Sequence, residues 1–177
     1  MKVSVRLATL ADVPAIVRVC SEGWRDTYRN LHSPEYIEDV VARFYNLERI
    51  ASEIGSRDDW DGWLVAEMAG QVIGASGGGK TGEKTWEVFV LYLDPSKRRQ
   101  GAGRALLNAM TSQALAHGAI EQWVDVTQDN QKGLPFYEVM GFEVRERREV
   151  RSRKTGEPVR SFRMARLLRQ EIVGELR

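Results

Sequence analysis

The chain has 177 residues, 42% of them hydrophobic and 29% charged, with a formal net charge of +1 at pH 7. These proportions describe an ordinary globular domain with enough chain to bury a core, and they exclude a disordered or strongly polyionic protein. A single cysteine, Cys20, excludes an intrachain disulfide framework, and two histidines, His32 and His117, leave little for a soft metal site, so no metal is expected. No apolar run approaches membrane-spanning length, and "MKVSVRLATLADVPAIV" carries charges and a proline where a signal peptide needs an apolar stretch. A cytoplasmic protein without membrane association is expected.

"VSVRLAT" alternates as a first strand; Thr9 or Asp12 then offers an N-cap and Pro14 a first turn, for a helix over roughly Ala11 to Ser21. "SPEYIEDVVARFYNLERIASEI" is a second helical region opening at Ser33, with Ile37, Val40, Val41 and Phe44 on one stripe. "DGWLVAEMAGQVIGAS" reads as two short strands turning at Ala69-Gly70-Gln71. The next stretch, "IGASGGGKTG", places Gly74, Gly79, Lys80 and Thr81 at the spacing of a phosphate-binding P-loop. Such a loop works only if a helix begins at the Lys-Thr pair, and here a strand follows, "EKTWEVFVLYLDP". The glycines are therefore read as a connection between two antiparallel strands, with Lys80 solvated.

Beyond it, "QGAGRALLNAMTSQALAHGA" has helical spacing up to Gly118, "IEQWVDVTQ" is a strand, and "NQKGLPFYEVMGF" a short helix closed by Gly141. Two arginine-rich strands follow. Their arginines, from Arg145 to Arg169, interleave with Glu143, Glu146, Glu149 and Glu157 and alternate with valines, which suits the outer face of two paired strands better than a nucleic-acid surface. One domain is expected over residues 1–168, with 169–177 as a tail that reads as a loose helix.

The most informative span is "LYLDPSKRRQGAGRALL". A strand ends at Asp94-Pro95, a short loop carries Lys97, Arg98 and Arg99, and Gly101 and Gly103 bracket a helix start. Glycine permits close backbone approach, and free amides at a helix N-terminus favour an anion, so a phosphate or pyrophosphate is expected. A turn that merely packs helix against strand is the competing explanation. A dinucleotide fingerprint needs a further glycine where Leu106 stands.

At this point the sequence resembles the GNAT superfamily of N-acetyltransferases. Its acetyl-CoA signature, Gln or Arg, two residues, Gly, one residue, Gly or Ala, stands here as Arg98-Arg99-Gln100-Gly101-Ala102-Gly103, and its Asn-x6-Tyr spacing as Asn130 and Tyr137. The resemblance runs from Asp61 to about Val150. It implies an α/β (α+β) fold with a mixed, mostly antiparallel sheet of six to seven strands flanked by about four helices, and direct transfer of acetyl from acetyl-CoA to an amine. Amides from Arg98 to Arg104 would bind the pyrophosphate, the edge of Leu91, Tyr92 and Leu93 would pair with the pantetheine, Asn130 would reach the co-substrate, and Tyr137 would protonate the leaving thiolate. Gly133 stands where the family often has alanine, a departure that would loosen the short helix.

The resemblance also makes Glu87 a candidate base, against an exposed strand-end glutamate as the alternative. It places the acceptor near the first two helices, where Trp24 and Tyr28 would wall a pocket beside Glu87 and where Glu22, Asp26 or Glu35 would attract a cation; a packed aromatic pair on a solvated helix is the competing explanation. A small-molecule amine of polyamine type is the reading, with a protein N-terminus or lysine side chain left open, as is a homodimer. A coenzyme A-binding module without catalysis and a P-loop phosphotransferase are the rival classes.

Overall fold

The computed structural model describes residues 2–168, so the expected tail helix lies outside the described residues. In chain order the elements are β1 (Ser4–Leu7), α1 (Val13–Tyr28), α2 (Pro34–Phe44), α3 (Leu47–Ser52), β2 (Leu64–Met68), β3 (Gln71–Lys80), β4 (Thr85–Leu93), α4 (Ala102–Ala116), β5 (Glu121–Thr127), α5 (Gly133–Val139), β6 (Glu143–Arg151) and β7 (Pro158–Leu167). The strands form one sheet in the order β1-β2-β3-β4-β5-β7-β6. Every neighbouring pair is antiparallel except β4 and β5. The mixed, mostly antiparallel sheet of the expected α/β fold is thus present. A fifth helix arises because Asn46 interrupts the second helical region and starts α3, its Oδ1 accepting from the Arg49 amide at 2.9 Å.

Each face of the sheet buries its own core. α4 and α5 cover one with Trp86, Leu106, Leu107, Met110, Phe142 and Met164. On the other, α1 and α3 contribute Ile16, Val19, Cys20 and Ile50 against Val65 and Ala75. Cys20 is fully buried, and burial pushes its thiol well above the usual range, which suits a core residue and not a nucleophile.

Two expectations need correcting. α1 continues two turns past Ser21, because Gly23 is not a stop: a Cβ there would come within 3.1 Å of the Leu93 carbonyl, so its absence lets the helix cross β4 closely. The second correction concerns "SGGGK", which is the interior of β3 and not a connection; the turn comes afterwards, at residues 81–84. Gly77, Gly78 and Gly79 are all buried there. A Cβ on Gly77 would fall inside the Trp60 ring, and one on Gly79 would overlap the Asp59 carbonyl. The glycines are bare so that the segment before β2 can lie flat on the sheet. Lys80, at the strand end, is exposed as expected.

β4 carries the feature that positions the site. Gly77 faces Val90 and Gly78 faces Val88, leaving Phe89 as an extra residue, a β-bulge that bends the strand. β4 and β5 therefore pair only through Thr85–Val88 and Glu121–Val124. Beyond them β5 stays with β7 as far as Thr127, while β4 departs. The sheet opens into a V.

Candidate active site

A cleft of about 870 Å3 occupies the V, walled by Val88 to Leu93 on one side and Val124 to Val126 on the other. Leu91, Tyr92 and Leu93 pair with Ser76, Ala75 and Gly74 of β3, and the edge they turn toward β5 has no strand partner among the described residues. The side chains of Leu91 and Leu93 join the α4 core and that of Tyr92 the α1 core. What these residues offer the cleft is backbone N–H and C=O, an edge ready for an extended amide-bearing ligand.

The loop between β4 and α4 shapes one end of the cleft. Asp94 opens its turn, accepting from the Ser96 amide at 2.9 Å and from Arg18 at 2.9 Å. Arg99 and Gly101 then adopt left-handed backbone, with φ of 62° and 85°. Gly101 holds the N-cap position of α4, and no side chain caps the helix. Its first amides are left for an anion, with Arg98, Arg99, Arg104 and Lys132 around the same end of the cleft. Uncapped amides beside four basic side chains suit an anion the size of a pyrophosphate. Gln100 and Ala102 are not among the residues lining the cleft. Asp26, from α1, receives Lys132 Nζ at 2.5 Å together with Arg98 and Arg29, so it is already neutralised and is not available to an acceptor cation. Lys132 foremost, and Arg98 with it, hold its carboxyl down at about 2, against an opposing effect of burial.

Tyr137 and Asn130 lie along the α5 side. The Tyr137 ring packs between Phe136 and Phe142, centroids 5.1 and 5.4 Å away, so it is a core aromatic as well as a cleft residue. No group among the described residues hydrogen-bonds its hydroxyl, and burial pushes the phenol up, which keeps it protonated at neutral pH. Asn130 Oδ1 accepts from the amides of Lys132 and Gly133 at 3.1 and 2.8 Å, capping α5. An alanine at 133 would bring its Cβ to 2.6 Å from Asn130 Nδ2, so the glycine makes room for this asparagine.

The residues read for the acceptor separate: Glu22 pairs with Arg18 at 3.4 Å, and neither it nor Glu35 lines the cleft. Tyr28 is buried at the end of α1 and lines the cleft, its hydroxyl 3.4 Å from that of Tyr92. Trp24 packs against it, the rings tilted by 44° with centroids 4.2 Å apart, and does not line the cleft. Glu87 does not line it either. Its side chain is 14% exposed and both oxygens are taken by the Arg163 guanidinium, the Nη2–Oε2 contact being 3.0 Å. The residue that sequence reading missed is Asp125, exposed on β5 just past the last β4–β5 pair and the one carboxylate among the cleft-lining residues. Beyond the end of β5 the α1–α2 connection is tied to the β6–β7 hairpin: Glu157 accepts from Ser33 Oγ at 2.5 Å and faces His32 Nδ1 at 3.1 Å.

Among the described residues no group of His, Cys, Asp and Glu is gathered as a metal ion requires, and no helix is long and apolar enough to cross a membrane. Residues 21–142 match the Acetyltransferase (GNAT) family. The chain is 27% identical over 145 residues to a spermidine N(1)-acetyltransferase of Thermoplasma acidophilum, covering 81% of this chain and 90% of that protein. It is 31% identical over 140 residues to the uncharacterised N-acetyltransferase YuaI of Bacillus subtilis, covering 77% of this chain and 78% of that one. The crystal structure of the PaiA N-acetyltransferase from Thermoplasma acidophilum in complex with coenzyme A superposes with a TM-score of 0.80 at 25% identity, over 95% of this chain and 100% of that one.

Proposed function

The chain belongs to the GNAT acetyltransferase family and is an acetyl-CoA-dependent N-acetyltransferase; we propose that its acceptor is a primary amine of a small, polyamine-like molecule. The observation that carries the reading is the continuous path from the uncapped start of α4, along the unpaired edge of Leu91 to Leu93, to the free hydroxyl of Tyr137. That path has a pyrophosphate cradle at one end, a strand edge for a pantetheine in the middle, and a proton donor where a thiolate would leave. The spermidine-acetylating relative supports the acceptor class.

The chemistry is one displacement. The amine nitrogen attacks the thioester carbonyl carbon, a C–N bond forms as the C–S bond breaks, the thiolate takes a proton from Tyr137, and the proton shed by the new amide nitrogen passes through cleft solvent to restore the phenol. An alkylamine is mostly protonated at neutral pH and must lose a proton first. Since Arg163 occupies both oxygens of Glu87, that proton is assigned to solvent in the cleft and not to Glu87. Asn130 holds the start of α5, and with it Tyr137, against β5.

The test follows free coenzyme A by mass over an amine panel. The proposal expects small amines in the panel to release coenzyme A; acetyl-CoA that binds but yields no coenzyme A with any amine would reject it. Tyr137→Phe keeps the ring between Phe136 and Phe142, so acetyl-CoA affinity should hold while kcat falls about a hundredfold to ten-thousandfold. A fully active variant removes the acid role.

A further inference from the structure

Asp125 has no cation partner within ion-pair distance among the described residues, although one stands opposite it. In the β5–β7 register Asp125 faces Arg163 directly. Arg163 turns instead to β4 and gives both of its terminal nitrogens to Glu87, with its guanidinium 5.3 Å over the Trp123 ring. On β6 the residue opposite Arg163 is a second carboxylate, Glu146, and the basic Arg148 two places along bonds that glutamate at 3.4 Å. Lys132, across the cleft, is held by Asp26. The aspartate is thus exposed and unpaired in a cleft whose other charged lining residues are all basic and lie at the pyrophosphate end.

Its face of the sheet follows from alternation. Val124 and Val126 belong to the α4 core, so Asp125 points to the opposite face, the side of α1, away from Tyr137. Phe89, half exposed at the bulge, and Tyr28 line the cleft with it. A carboxylate flanked by aromatic surface suits an ammonium on an alkyl stem. It suits an ammonium that stays charged: a carboxylate beside the reacting amine would favour the protonated form and suppress attack.

We propose, resting on the amine-acetyltransferase reading, that Asp125 selects acceptors carrying a second positive charge, diamines or polyamines over monoamines, and that Glu87 is a positioning residue that keeps Asp125 free by holding Arg163. The experiment compares kcat and KM for diaminobutane and butylamine, with acetyl-CoA saturating, in the wild type and in Asp125→Asn, Asp125→Glu and Glu87→Gln. The wild type should prefer the diamine. Asp125→Asn should reduce that preference tenfold or more, chiefly through KM for the diamine, and Asp125→Glu should restore part of it. Glu87→Gln releases Arg163 to turn to Asp125 and should reduce the preference in the same way. A wild type that acetylates both amines without preference overturns this proposal alone, as does an Asp125→Asn enzyme that keeps the preference or that loses kcat equally on both amines. A wild type that acetylates no amine overturns the parent reading and this one with it.

Discussion

The two glycine-rich stretches of this chain look alike on paper and do opposite things. In "SGGGK" the glycines lie inside β3, and what they admit is protein: the Trp60 ring and the backbone at Asp59 occupy the space a Cβ would need. In "RRQGAG" a Cβ on Gly103 would meet Leu93 and Phe136 at an ordinary 3.5 Å, and one on Gly101 would meet nothing within 4 Å. Gly101 answers to its left-handed φ of 85°, and Gly103 has no such need and no clash to avoid within the fold. Bare backbone that the fold itself fills is a structural device; bare backbone that the fold leaves unfilled, at an uncapped helix start, points to a ligand.

Substitution should separate the two stretches. Gly79→Val forces a side chain into the Asp59 carbonyl and should cost ~2–3 kcal/mol of stability, roughly 4–12 °C of Tm, read by thermal unfolding. A variant as stable as the wild type breaks the comparison. Gly103→Ala, whose Cβ meets only ordinary contacts, should leave Tm within a few degrees, whereas Gly103→Trp should weaken acetyl-CoA at least tenfold, about 1.4 kcal/mol, by calorimetric titration; unaltered affinity in a folded Trp variant would mean that the second stretch is packing after all.

A smaller effect concerns pH. The Asp26 carboxyl, which holds Arg98 and Lys132, sits at about 2 in the fold against 3.8 for an unperturbed aspartate. A depressed value means the unfolded chain takes up the proton first, so the stabilisation is complete above about pH 4 and is lost as pH falls toward 2. Asp26→Asn should flatten that part of the stability–pH curve; a curve unchanged by the substitution removes the clasp. Lys80→Ala should change least, within ~0.5 kcal/mol and without effect on acetyl-CoA binding.

Both what could and what could not be read from the sequence have physical reasons. The α4 start was legible as an uncapped, glycine-rich helix N-terminus because such backbone constrains residue type at fixed spacing, and the Asn130–Tyr137 pair because the asparagine sits just before the short helix that carries the tyrosine. Strand identity survived because alternation is local. The extent of α1 and the nature of "SGGGK" did not, since Gly23 and Gly77 answer to contacts with β4 and Trp60, far away in the chain. Asp125 was invisible for the same reason. In "EQWVDVTQ" it is one polar position in an alternating strand, and its lack of a partner depends on which way Arg163, two strands over from Glu87, turns.

The opening between β4 and β5 also has a mechanical side. Four residue pairs, Thr85–Val88 against Glu121–Val124, make all the direct strand pairing between the two wings of the sheet. The sheet behaves like a plate cut most of the way across, with the remaining bridge at one end and the Glu157 tie to His32 and Ser33 near the other. A ligand hydrogen-bonded along Leu91 to Leu93 splices the cut. A loaded cleft is expected to be the stiffer one, and an empty cleft the more compliant.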